Sequence, residues 1–186
     1  AAAIAPVMDA LGWKRCHFLG HHTGAVIAAH FAAVCPDQVD RLVLNGVPLL
    51  SEEERAFFDT LAIGPMELRP DGGHLLEAWQ RRVAASPGWA NLAAMHKYTV
   101  EMLAIPQSYH RAFEAAFAHD VTADLSRISA ATLILTNTGE DLYEASRRAI
   151  LLRADFDYAE LVGGTHDIID EQPVGWAKIV GNWLLG

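Results

Sequence analysis

Three short segments carry side chains that could move protons. Gly20-His21-His22-Thr23-Gly24 places two imidazoles between glycines four residues apart. Asn137-Thr138-Gly139-Glu140-Asp141 offers two adjacent carboxylates, and Gly163-Gly164-Thr165-His166-Asp167 offers a third imidazole. An imidazole accepts or donates a proton near neutral pH, and a carboxylate can orient it and stabilise its charged form. The paired glycines allow a tight strand-to-helix turn that holds the central residue, His22, out of the backbone.

These segments need a scaffold, and the hydrophobic pattern supplies one. Short apolar runs at Cys16–Leu19, Leu42–Leu44, Thr132–Thr136 and Asp157–Val162 read as strands. Helical spacing covers Ile4–Leu11, Ala25–Val34, a stretch through about Leu152, and Pro173–Leu185 with proline in its first turn. Strands alternating with helices predict a parallel α/β sheet with right-handed crossovers, covered on both faces. From Pro48 to Ile128 no strand pattern occurs. Helical runs (Glu53–Leu61, Leu75–Ala85, Leu92–Leu103, Tyr109–Phe117) are broken there by proline and glycine. The expected organisation is a core of residues 1–48 and 129–186 with a helical cap insertion at 49–128. The run Glu52-Glu53-Glu54 reads as a solvated first helical turn favoured by the macrodipole. Trp79, Trp89, His96, Tyr98, Tyr109 and His110 read mainly as cap packing.

Together, in this order, the segments resemble the α/β-hydrolase superfamily. The resemblance rests on the Gly20–Gly24 turn, the following Pro36-x-x-Val39-x-Arg41-Leu42-Val43-Leu44, the acidic loop after Leu135, and Gly163-Gly164-Thr165-His166 followed by Glu171-x-Pro173. It implies that Gly20–Gly24 is a nucleophile elbow, a strained turn that exposes its central residue at the carboxyl edge of the sheet. It implies His166 as the general base, within reach of a water or ligand shared with His22, and an acid after the third strand that bonds the far nitrogen of His166. An ungapped comparison points to Glu140 and a one-residue insertion to Asp141. Asp141 is preferred, because aspartate is commoner there and its shorter side chain suits a tight loop. The strand before offers Asn45-Gly46-Val47 and no carboxylate. Asp167 is expected to face solvent or cap a turn. Thr23 would lend its backbone N–H to an oxyanion hole, and His21 would pack beneath the elbow.

The elbow departs from the superfamily at its centre, where His22 replaces the usual serine. An imidazole has no hydroxyl to acylate, so a serine-type acyl-enzyme is excluded. The implied function is hydrolysis of a small ester, lactone or related carbonyl compound by base-activated water, with His22 either polarising the substrate or acting as a second base on the water. The competing readings are a non-catalytic ligand-binding descendant and a lyase or other proton-transfer enzyme. A His22→Ser variant that gained esterase activity would show machinery intact apart from its nucleophile.

Composition narrows the partners. Net charge is −9, with 52% hydrophobic and 20% charged residues, and no basic stripe is present. That disfavours nucleic acid and disorder. The two cysteines lack zinc spacing and fit a reducing, cytoplasmic setting. No run reaches a membrane span. No cofactor is implied. No metal is expected either, because His21 and His22 are adjacent and should point apart, and the motif H-E-x-x-H does not occur. Four strands match the last four of the superfamily's eight. The chain is therefore expected to be the C-terminal portion of the fold, with an open strand edge at Arg15–Leu19 wetting Phe18 and Val26. Homodimerisation, or association with an N-terminal segment, would cover that edge.

Overall fold

The computed structural model of the chain describes residues 1–60, 64–89 and 91–186. Four strands form one parallel sheet in the order β1 (Cys16–His21), β2 (Val39–Asn45), β3 (Ala131–Asn137) and β4 (Asp157–Leu161). Spatial order follows chain order, so each crossover lands beside the strand it left. The crossovers carry helices α1 (Ile4–Ala10, leading into β1), α2 (Thr23–Val34), α3 (Glu52–Thr60), α4 (Gly73–Ala85), α5 (Leu92–Ala104), α6 (His110–Ala118), α7 (Val121–Leu125) and α8 (Tyr143–Leu152). After β4 come a one-turn helix, α9 (Ile168–Glu171), and the closing α10 (Pro173–Leu185). The run expected as a helix over Glu53–Leu61 forms α3, and its last residue, Leu61, lies outside the described residues.

Alternation along β2 and β3 sorts the core into two layers. Leu42, Leu44 and Ile134 face Ala25, Ala28, Ala29 and Phe31 of α2, together with Val121 and Leu125 of α7. Val43, Leu133 and Leu135 face the other way, onto Trp176, Ile179, Val180 and Trp183 of α10. The alanine run of α2 lets its axis lie close to the strands, because each buried alanine adds only a methyl group.

Two expectations are corrected. Only β2 and β3 are buried on both faces; apart from the buried Gly20, every position of β1 and β4 is half-buried or exposed. They are the outer strands of this sheet, and an outer strand loses cover on its free side. Among the described residues β1 pairs with β2 alone. Val26, expected to be wetted there, is buried, and Phe18 is half-buried with its ring centroid 5.0 Å from that of Phe31. Burial comes from α2 folding back over the sheet, which the open edge does not prevent. The helices α7 and α9 are too short to leave a periodic signal in the sequence.

The acidic run at the start of α3 is partly employed. Glu54 accepts from the Ser51 N–H at 2.8 Å, and its own N–H donates to Ser51 Oγ at 3.2 Å, which is a capping box. Glu52 and Glu53 are exposed.

Candidate active site

All the segments singled out above follow the carboxyl ends of parallel strands. His22 follows β1, Gly46 follows β2, Glu140 follows β3, and His166 lies on the loop after β4. A crevice at that edge is where open α/β sheets bind ligands.

His22 is the sole non-glycine residue with positive φ among the described residues, at φ 50° and ψ −112°. That strain is held by its surroundings. The His22 N–H donates to the Asn45 carbonyl at 2.9 Å, and the His22 carbonyl accepts from the N–H groups of Ala25 and Val26. A Cβ at Gly20 would lie 2.1 Å from the Gly24 carbonyl oxygen, so only glycine lets strand and helix meet this closely. The turn reverses the chain and breaks strand alternation at once. His21 and His22 therefore do not point apart. Their rings lie 4.0 Å apart with a 30° tilt. α2 starts at Thr23, whose N–H is a first-turn donor with no partner within its own helix.

The acid that meets this turn is Glu140. Its side chain is fully buried, and its Oε2 lies 2.6 Å from His22 Nε2. A carboxylate only accepts, so Nε2–H donates and Nδ1 is left as the basic nitrogen of the neutral ring. Among the described residues no partner bonds His22 Nδ1. Glu140 Oε1 accepts from Thr136 Oγ1 at 2.5 Å and from the Asn137 N–H at 3.3 Å, which fixes the carboxylate plane. Asp141 is exposed, and the expected Asp141–His166 hydrogen bond is not formed. The loop turns after Asn137 so that Glu140 points inward and its neighbour outward. The extra methylene of glutamate then spans the distance to position 22.

His166 lies at the same edge, its ring centroid 6.1 Å from that of His22. Its Nε2 accepts from Arg82 Nη1 at 3.0 Å. Arg82 comes from α4, is nearly buried, and is paired with Asp167 and Ser86. Ser86 also donates to Asp167. Asp167 is thus buried in an ion pair and does not face solvent. Asn137 holds the loop in place by donating to the carbonyls of Gly163 and Thr165 at 3.0 and 3.1 Å. Thr165 is anchored by Glu171, through N–H and hydroxyl at 2.6 and 2.8 Å.

Burial sets the charge state of two rings. His166 is pushed down to about 3, first by burial, then by His22 and Arg82. His21 is pushed down to about 3 by burial, then by His22 and His166. Both are neutral at ordinary pH, so this edge carries three close imidazoles without three close charges.

Arg82 was not foreseen as part of the site. The signal was present: Ala78, Arg82 and Ser86 recur every four residues along one row, and all three are buried. A charged residue in the buried row of an amphipathic helix demands a partner. Of the cap residues read as packing, Tyr98 bonds Asp170 and lies under the Arg82 guanidinium at 4.9 Å, so it buttresses the same network. Tyr109 accepts from Arg81, His110 is buried, and His96 is exposed.

No family model matches the chain. A protein described as "Putative carbamate hydrolase RutD", from Stutzerimonas stutzeri (strain A1501), is 25% identical over 185 residues, spanning 93% of this chain and 68% of its own. Among solved structures, E-2-(acetamidomethylene)succinate hydrolase superposes with a TM-score of 0.78 at 18% identity, over 100% of this chain and 72% of its own. An α/β-hydrolase enzyme from a Medee basin deep-sea metagenome library superposes with a TM-score of 0.71 at 21% identity, over 97% of this chain and 69% of its own. The fold of the described chain is the α/β-hydrolase fold, and its parallel four-stranded sheet with flanking helices is consistent with a C-terminal portion of that fold.

Proposed function

We propose that this chain, which carries the α/β-hydrolase fold, hydrolyses a small ester, lactone or related carbonyl compound with water activated by His22. The observation that carries the reading is the His22–Glu140 pair, 2.6 Å apart at the carboxyl edge of the sheet. His22 Nδ1 takes a proton from water while Glu140 stabilises the imidazolium. The resulting hydroxide attacks the carbonyl carbon. The Thr23 N–H receives the oxyanion as the tetrahedral intermediate forms. Collapse expels the alkoxide or amine, which recovers the proton from His22. No bond to the protein forms at any stage. The carbamate and amide names of the matched proteins extend the carbonyl class to nitrogen leaving groups. The free thiols of Cys16 and Cys35 support a reducing, cytoplasmic setting. Among the described residues no helix is long and apolar enough to cross a membrane.

The role assigned to His166 shifts accordingly. With Nε2 occupied by Arg82 and the ring neutral, it is a wall of the site and a hydrogen-bonding group, while His22 is the base. The test is a panel of p-nitrophenyl acetate, small lactones and an aryl carbamate, with a fluorophosphonate probe alongside. Turnover without labelling of His22 or Thr23 supports the reading. Stoichiometric labelling of Thr23, or full turnover by His22→Ala, overturns it. The ligand-binding alternative predicts saturable binding of such compounds with no turnover.

A further inference from the structure

A second cluster of metal-ligating side chains lies away from the site just described. His30 on α2, His119 at the end of α6 and Asp124 on α7 bring three donor atoms within 4.8 Å of one another. Asp124 Oδ2 lies 3.0 Å from His30 Nδ1 and 2.5 Å from His119 Nε2. The two rings meet edge to face, 5.3 Å between centroids. Asp124 Oδ1 is taken by Arg127 at 2.7 Å, which leaves Oδ2 as the oxygen the two histidines share.

We propose that His30, His119 and Asp124 form a binding site for a divalent ion of the zinc class. The donor set is two imidazoles and one carboxylate, which favours zinc and its neighbours over calcium or magnesium. Ligands on a tetrahedral zinc ion, at bonds of about 2.0–2.1 Å, stand about 3.3 Å from one another. The observed 3.0 and 2.5 Å separations come close to that, so modest ring and carboxylate movements admit the ion. On binding, the proton that each imidazole now donates to Asp124 moves to its other nitrogen, which frees the inward lone pair for the metal. Water completes the fourth position.

The surroundings fit this use. The Asp124 side chain is 2% exposed, while His30 and His119 are 39% and 33% exposed, so an ion can enter from solvent onto a fixed carboxylate. The three residues come from three separate elements, and α2 is the helix that opens at the elbow. A bound ion would clamp the α6–α7 corner to that helix.

The experiment uses the full chain, stripped with EDTA and titrated with Zn²⁺ by calorimetry and with Co²⁺ by visible absorption. One equivalent should bind, with tetrahedral Co²⁺ bands. Tm should rise by about 5 °C or more when free Zn²⁺ exceeds Kd by about 100-fold. His30→Ala and His119→Ala should each weaken binding by about 10-fold or more, on the scale of ligand-sphere losses. Both side chains are partly exposed, so folding should survive; far-UV circular dichroism checks this, and His30→Gln serves if alanine does not fold. His96→Ala, at an exposed histidine elsewhere, should leave binding unchanged. Absence of saturable binding, or binding unaffected by either alanine variant, overturns the site.

Discussion

Glu140 reaches His22 across 118 positions of chain and meets its ring from the side away from the free nitrogen Nδ1. The carboxylate therefore sets which nitrogen is basic. Glu140→Gln keeps the shape but can offer an N–H to Nε2, which would move the ring proton to Nδ1 and remove the base. Turnover should fall by about 10²–10⁴-fold, the range for loss of a positioned general base, and His22→Ala should fall as far. Steady-state kinetics on p-nitrophenyl acetate checks both. A Glu140→Gln enzyme at near-normal kcat would show that the pair is structural.

Gly46 lines the same pair. It has φ +63°, and a Cβ there would lie 2.3 Å from His22 Cδ2, 2.6 Å from His22 Nε2 and 2.8 Å from Glu140 Oε2. Gly46→Ala should cost about 1–2 kcal/mol from the left-handed backbone alone. The larger effect should be on kcat, about 10²-fold, because a shift near 1 Å spoils the alignment. Unchanged kcat in the folded variant would mean that the pair is not the reacting centre.

Stability should fall in acid. His21 and His166 have folded values pushed down to about 3 from the ordinary histidine value of 6.5. Between those values the unfolded chain binds the protons and the folded chain does not. Stability is therefore full above about pH 6.5 and declines as pH falls toward 3. From pH 7 to pH 5 each ring should account for about 2 kcal/mol. Urea melts at the two pH values measure the loss, and His166→Gln should flatten it by roughly half. An equal slope in wild type and variant would refute the assignment.

Arg82 and Asp167 are 9% and 6% exposed at their side chains, so removing one charge strands the other. Arg82→Met should cost about 3–5 kcal/mol, and Arg82→Met with Asp167→Asn should cost less than Arg82→Met alone. Denaturant midpoints decide this; a double variant worse than the single would show that the pair contributes nothing as a pair.

Among the described residues β1 is hydrogen-bonded to another strand on one side only, and its Leu19 is 38% exposed. Strand edges of this kind recruit another strand. Sedimentation at low micromolar concentration should show association that Leu19→Lys reduces. A monodisperse wild-type monomer with a cooperative melt would show that four strands suffice.

The parallel core was legible because Leu42–Leu44 and Leu133–Leu135 are short apolar runs, each followed by turn residues, and such runs can only be buried strands here. His22 and His166 were legible because glycines mark their turns. The choice between Glu140 and Asp141 was not, since it depends on one residue of loop rotation that no periodicity records. Arg82 was hidden for a different reason. Its partners, His166 and Asp167, lie 84 and 85 positions away, and only tertiary packing brings them together.

The crossover from Asn45 to Ala131 separates the two halves of the proposed catalytic pair. Closing a flexible loop that spans His22 to Glu140 costs on the order of 4 kcal/mol in chain entropy. Contacts so distant in sequence form slowly, because that cost falls due before any reward. Helices α3 to α7 can form locally and shorten the effective loop, as the packing of α4 on α5 illustrates. During refolding, helical circular dichroism should therefore return first, and hydrolysis should lag until β3 docks on β2.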